Sequence, residues 1–199
     1  MFTGIIQSIG LIKKIESLKK DARITIEYKP NQIKASSLGD SISINGVCLT
    51  IQKKQKNQLT FHVSEETLNR TIAFTEKSLV NLESSLSYNG KVGGHFVTGH
   101  IDGVGKIASI KTNSQCWILE IKPPKNLLKF IAVKGSIAIN GVSLTVNSIK
   151  NDRFKVNIIP YTLKETNLGN LIKGSEINIE IDLIARYLDN ILKRKIKNK

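Results

Sequence analysis

The chain repeats itself at long range, and this limits what it can fold into more than any other feature. SISINGVCLT at residues 41–50 returns as SIAINGVSLT at residues 136–145, with eight of ten positions identical and an offset of 95. The same register lays FTGIIQSIGLI (residues 2–12) over VTGHIDGVGKI (residues 97–107), Thr67 and Leu68 over Thr162 and Leu163, and Thr71 over Thr166. Three separated blocks in one register make the 199-residue chain two copies of one unit. A unit of about 95 residues holds its own hydrophobic core and is far too long for a solenoid repeat.

Each copy reads as β-structure. RITIEY at residues 23–28 alternates with period two, as do Ile42 to Ile44 and Ile177 to Ile181. Asn45-Gly46 and Asn140-Gly141 sit between alternating apolar runs, and Asn-Gly is the strongest short hairpin signal because a type I′ turn needs positive φ at both central positions. Several short strands in so few residues suggest a small closed barrel, which hides its edges. The small, polar run SSLSYNGKVGG (residues 84–94) reads as a connection. The expected organisation is a first barrel over residues 1–88, a linker over 89–97, a second barrel over 98–182, and a terminal helix with a basic tail over 183–199. In that last segment Leu183, Ile184, Tyr187, Leu188, Ile191 and Leu192 recur at helical spacing, with Asp182 as N-cap. The first copy has no such segment. Its apolar face is most simply an oligomer contact.

Charge and cysteine content narrow the function classes. The net charge is +14, from 30 Lys and Arg against 16 Asp and Glu. The basic residues are scattered apart from the KRKIK tail (residues 193–197), aromatics are 6%, and no RNA-binding aromatic motif is present, so nucleic acid is not the expected partner. No apolar run reaches the roughly 20 residues of a membrane-spanning helix. The start, MFTGIIQ, has no basic stretch ahead of an apolar one, and Cys48 and Cys116 lie too far apart for a CxxC site; both point to a cytoplasmic chain with reduced thiols. GHIDGVG (residues 99–105) lacks the spacing of a dinucleotide-binding turn. On a strand His95 and His100 would face opposite ways, and no cysteine or carboxylate pattern completes a metal site, so no metal is expected.

After each Asn-Gly turn the alternation resumes. Val47, Leu49 and Ile51 face one side of a strand, Cys48 and Thr50 the other; in the second copy Val142, Leu144 and Val146 oppose Ser143 and Thr145. Each copy thus offers a small thiol or hydroxyl plus a threonine on one strand face, with Thr67 or Thr162 adding another hydroxyl. That set suits hydrogen bonding to a flat polar heterocycle or a polyol, and its retention in two divergent copies argues for ligand binding.

Together MFTGI, SISINGVCLT, GGHFVTGHIDGVG, KGSIAINGVSLTV, IPYTLKETNLG and INIEID resemble the riboflavin synthase family, over essentially the whole chain. The resemblance implies an all-β fold of two tandem, homologous six-stranded Greek-key β-barrels followed by a C-terminal α-helix that builds a homotrimer. Each barrel would bind one 6,7-dimethyl-8-ribityllumazine, and the enzyme would move a four-carbon unit from one to the other, giving riboflavin and 5-amino-6-(D-ribitylamino)uracil. No cofactor and no metal would take part, and lumazine synthase is a further partner the resemblance points to. A non-catalytic lumazine- or flavin-binding antenna protein of the same fold is the other class to separate, by whether the lumazine is turned over.

By the same resemblance the family's motif positions fall on Phe2, Cys48, His100, Lys134, Ser143 and Thr145. Ligand-contacting stretches fall on Gly4, Ile5 and Ile6; Cys48, Leu49 and Thr50; His62, Val63, Ser64, Glu65, Glu66 and Thr67; Gly99, His100 and Ile101; Ser143, Leu144 and Thr145; and Ile158, Ile159, Pro160, Tyr161, Thr162 and Leu163. The copies differ at Cys48 against Ser143, Ile5 against His100, Glu66 against Tyr161 and Gly39 against Lys134. Such differences are where two identical substrates would be treated differently. The expected chemistry removes a proton from the C7 methyl of one lumazine and adds a nucleophile at C7 of the other. His100 is a reasonable acid/base. Cys48 is either a nucleophile, which needs an activated thiolate, or a small residue touching ligand. Lys134 would stabilise the anion formed at the methyl.

Overall fold

The structure, a computed structural model, describes residues 1–30, 33 and 36–197; the last two residues of the expected tail, Asn198 and Lys199, lie outside the described residues. The first copy forms strands β1 (Ser8–Leu18), β2 (Asp21–Glu27), β3 (Ser41–Ile44), β4 (Val47–Gln55), β5 (Gln58–Val63) and β6 (Leu79–Ser84). The second forms β7 (Gly103–Asn113), β8 (Cys116–Lys122), β9 (Ser136–Ile139), β10 (Val142–Lys150), β11 (Arg153–Ile158) and β12 (Glu176–Ile181). Each set closes in the order first, second, fifth, fourth, third, sixth, with every pairing antiparallel. Bulges recur at equivalent places, Ile12/Lys14 with Ile107/Ser109 and Ile51/Lys53 with Val146/Ser148. Closure leaves no free edge, so it removes the aggregation hazard of an open sheet this small.

The alternation seen in the sequence fills the two interiors. Ile24, Ile26, Ile42, Ile44, Leu59, Phe61 and Leu82 pack one core; Ile107, Leu119, Ile121, Val146, Phe154, Val156 and Ile177 pack the other. Asn45 (φ 49°) and Gly46 (φ 83°) make the two-residue turn between β3 and β4, and Asn140 (φ 46°) and Gly141 (φ 79°) repeat it between β9 and β10. Helices α1 (Glu65–Arg70) and α2 (Pro160–Glu165) follow the fifth strand of each barrel, and α3 (Leu183–Lys197) follows β12. Asp182 caps α3 by accepting the Ile184 N–H at 2.9 Å.

The outer faces of β3, β6, β9 and β12 do not meet water. Asn81, Glu83, Asn178, Glu180, Asn45 and Asn140 are all buried, because the two barrels are stacked on each other through these faces. The two Asn-Gly turns touch at a local dyad: a Cβ on Gly46 would lie 2.8 Å from the Gly141 nitrogen, and one on Gly141 2.7 Å from the Gly46 nitrogen. Asn81 Nδ2 donates to the Asn140 carbonyl and Asn178 Nδ2 to the Asn45 carbonyl, both at 2.9 Å. Every such amide inside the contact has a partner, as burial requires.

The connection differs from the sequence expectation. Ser84 belongs to β6, and no strand runs between Ser84 and Gly103. His95 and His100 therefore do not sit on opposite faces of a strand. Their segment is extended but pairs with the chain start: Phe2 N–H donates to Val97 O at 2.7 Å, and Val97 N–H returns to Phe2 O at 3.1 Å.

Candidate active site

The site is built by two arms, residues 2–7 and their copy, residues 97–102. Phe2 and Val97, equivalent in the repeat, are both wholly buried and pack with Ala138 and Cys48 on the dyad. Beyond them each arm is tied to its own barrel by a buried carboxylate. Glu83 Oε1 accepts Thr3 N–H and Oγ–H, both at 2.7 Å, and Oε2 accepts Gly4 N–H at 3.0 Å. Glu180 Oε1 accepts Thr98 N–H at 2.7 Å and Oγ–H at 2.6 Å, and Oε2 accepts Gly99 N–H at 2.9 Å. Burial pushes both carboxyls above the usual range, and the Thr and Gly donors only partly offset it.

Each arm then crosses to the other barrel. Gly4 O accepts the Ser143 N–H at 2.8 Å, and Gly99 O accepts the Cys48 N–H at 2.9 Å. Both glycines have positive φ, and an added Cβ would fall 2.6 Å from Ser143 Cβ or 2.5 Å from Cys48 Cβ, so no other residue fits. The thiol and the hydroxyl therefore each sit against an arm that belongs to the opposite repeat.

On the Cys48 side this crossing borders an open-mouthed cavity of about 300 Å³. Its walls are Val47 and Cys48 from β4, Glu66, Thr67, Arg70 and Thr71 from α1 and its end, Gly99, His100, Ile101 and Asp102 from the second arm, and Arg186 from α3. Of the residues expected from sequence, Cys48, Glu66, Thr67, Gly99, His100 and Ile101 come together here. Ser64 caps α1, accepting Thr67 N–H at 3.3 Å. His62 Nε2 lies 2.8 Å from Asp21 Oδ2, while Asp21 Oδ1 accepts Glu65 N–H at 2.8 Å. That backbone donor first, and His62 second, hold the Asp21 carboxyl below its ordinary range. These three residues set the placement of α1 rather than line the cavity.

The Ser143 side carries different groups. In the repeat register Ile5, Ile159 and Tyr161 take the places of His100, Ser64 and Glu66, and they are 49%, 54% and 71% exposed. Ile6 is half-buried and packs on the second core, as does Leu163. Pro160 and Thr162 lie on α2. His95 has no counterpart in the first repeat, and its Nδ1 lies 2.7 Å from Ser143 Oγ. Burial holds the His95 imidazole below its usual range, with Asp182 pulling weakly the other way, so it is neutral at pH 7. Sequence reading weighed His95 only as a metal ligand and set it aside, with no repeat partner to point to Ser143.

Several expected residues take other positions. Leu49, Val63, Leu144 and Ile158 point into the barrel interiors, so a ligand reaches them only through their main chain. Thr50 and Thr145 are exposed on the outer strand faces. Lys134 does not line the cavity. It occupies a turn with φ 67°, copying Gly39 at φ 88°, and its N–H donates to Val146 O at 2.8 Å. That is three residues, or about 10 Å, along β10 from Ser143. Sequence reading also missed Val47, Arg70, Thr71, Asp102 and Arg186.

Comparison with known proteins places this geometry. The lumazine binding domain family matches residues 3–85 and again 98–182. The riboflavin synthase of Actinobacillus pleuropneumoniae is 43% identical over 197 residues, covering 98% of this chain and 91% of that one. The chain belongs to the riboflavin synthase family, a family of transferase enzymes. The Bacillus subtilis riboflavin synthase is 38% identical over 201 residues, covering all of this chain and 93% of its own. Among solved structures, LumP complexed with riboflavin superposes with a TM-score of 0.85 at 31% identity, over 91% of this chain and 99% of that one. LumP complexed with 6,7-dimethyl-8-(1'-D-ribityl) lumazine gives 0.82 at 30%, over 90% and 98%.

Proposed function

We propose that the chain dismutates 6,7-dimethyl-8-ribityllumazine, moving four carbons between two identical molecules to give riboflavin and 5-amino-6-(D-ribitylamino)uracil. The observation that carries this reading is the duplicated crossing: twice an arm of one repeat is set against a strand of the other, with Cys48 beside the His100 arm at one place and Ser143 beside His95 at the other. A dismutation needs two like molecules held together yet treated unlike. One product gains the carbons the other loses, so no outside oxidant or reductant is required. Holding both reactants replaces a bimolecular encounter, an advantage of up to about 7–11 kcal/mol when the reacting atoms are aligned.

In this reading His100 takes a proton from the C7 methyl of the molecule at the Cys48 cavity or returns it, and Ser143, hydrogen-bonded to neutral His95, meets C7 of the other. Phe2 positions both arms from its buried place rather than touching substrate. The Ser143 side of one copy meets the Cys48 cavity of a neighbour in a homotrimer held by α3. Support for assembly comes from Ile184, Tyr187, Leu188, Ile191 and Leu192, all more than half exposed along one face of that helix. No helix among the described residues is long and apolar enough to cross a membrane.

Incubation with the lumazine tests the reading. Riboflavin appearing by absorbance supports it; a stable bound chromophore without turnover makes the chain a binding protein; no binding removes both. Leu188→Glu with Ile191→Glu should leave the barrels folded, give monomers in sedimentation, and stop turnover.

A further inference from the structure

We propose that Arg186 is a positioning residue that ties the C-terminal helix to the arm carrying His100, so that α3 sets the geometry of the Cys48 cavity. The role in turnover rests on the function proposed above; the contact itself does not.

Comparing the two arms isolates what Arg186 adds. In the first arm Gln7 N–H donates to Leu82 O at 2.9 Å, and Gln7 Oε1 accepts Ser84 N–H at 3.2 Å. In the second, Asp102 N–H donates to Ile179 O at 2.9 Å, and Asp102 Oδ2 accepts Ile181 N–H at 2.9 Å. A neutral amide therefore suffices to hold an arm to its last strand. The carboxylate at 102 also holds a guanidinium. Arg186 Nη2 reaches Asp102 Oδ1 at 2.9 Å and Oδ2 at 2.8 Å, and the His100 carbonyl at 3.4 Å.

The placement of Arg186 runs against local preference. It lies near the N-terminal end of α3, where the helix dipole disfavours a cation. Its Nε is buried without a hydrogen-bond partner among the described residues. Both costs are consistent with a residue kept for what its far end holds. The pair is also sheltered, with side chains 33% and 18% exposed, unlike the surface pairs elsewhere on the helix such as Lys193–Asp189. Because α3 has no counterpart after the first repeat, this clamp exists on one pocket only.

The test uses the full-length protein and three variants. Arg186→Met should lower kcat by about 10- to 100-fold, the scale of a misplaced reacting group, with KM changed much less. Arg186→Lys, which keeps the charge on a shorter side chain with a different donor geometry, should recover part of the loss. Asp102→Asn keeps the Ile181 bond, as Gln7 does, and combining it with Arg186→Met should cost less than the two separate losses together. NMR of the histidine rings gives a readout independent of substrate: in Arg186→Met the His100 resonances should shift while those of His62 and His95 stay. Lys193→Met, on the same helix, serves as the control and should change neither. Unmoved His100 resonances, or strictly additive losses, would overturn the proposal. If the wild type fails to turn over the lumazine, the proposed function falls, and the His100 resonances alone decide this contact.

Discussion

The two sites descend from one sequence pattern yet differ in almost every group that does chemistry. The first is a cleft with a thiol, an exposed imidazole and a charged clamp from α3. The second has a hydroxyl paired with a half-buried imidazole, and isoleucine and tyrosine where the first has histidine and glutamate. What they share is the backbone device: an arm held by a buried glutamate on its own barrel and presented, through a glycine with positive φ, to the other. The frame can stay symmetric while the contents diverge, because arm placement depends on main-chain bonds and the chemistry on side chains at its tip.

The largest test of that contrast is His100→Ile, which gives the second arm the residue of the first. Turnover should fall within the roughly 10²–10⁴ range of general acid–base catalysis while lumazine affinity, read by fluorescence, changes little. Equal losses in both would make His100 a binding residue.

Glu180→Gln and Glu83→Gln break the frame instead. An amide in either place turns an N–H toward Gly99 or Gly4, so each should destabilise the fold by about 1–3 kcal/mol in denaturant titrations. The damage should cross over: Glu83→Gln should perturb the NMR signals of Ser143 in the other barrel, and Glu180→Gln those of Cys48. Damage confined to the mutated barrel would sink the crossed-arm account.

Lys134→Gly separates two readings of one residue. A lysine acting as a charge near the anion predicts a rate loss of about 10²–10³. A lysine in a turn that its copy fills with Gly39 predicts an unchanged rate and up to about 1 kcal/mol of relieved left-handed strain. Steady-state kinetics beside thermal unfolding decide between them. Cys48→Ser, which copies the second site into the first, should keep lumazine binding. A rate close to wild type would take the thiol out of the chemistry.

The smallest expected effect is on acid stability. His95 has its folded pKa below the ordinary value, so the unfolded chain takes the proton first. Its contribution is therefore present above about pH 6.5 and is lost as pH falls toward the folded value. His95→Gln should flatten that part of the stability profile; an unchanged profile would mean that burial does not perturb His95.

Much of this was legible in the linear chain. An offset of 95 declares two units, Asn-Gly between alternating runs declares two type I′ hairpins, and the 3–4 spacing after Asp182 declares the last helix, because each depends on residues close in sequence or on direct comparison of copies. Cys48, Glu66, Thr67 and His100 stand out when the copies are compared, Gly99 follows from the family resemblance, and all five meet in one cavity. What period-two patterning cannot say is which neighbour covers a strand's outer face. Asn81, Asn178, Glu83 and Glu180 alternate like solvent-facing residues, and only the stacking of two barrels buries them. Lys134 reads in sequence as a functional cation, and only the structure adds that its backbone stands at φ 67°, in a turn that Gly39 fills in the first copy. The arm crossing joins Gly4 to Ser143 and Gly99 to Cys48, and the clamp joins Arg186 to Asp102 across 84 residues. Such contacts leave no local pattern, because main-chain hydrogen bonds and a long-range ion pair depend on where segments are carried, and that is set by how the two barrels pack.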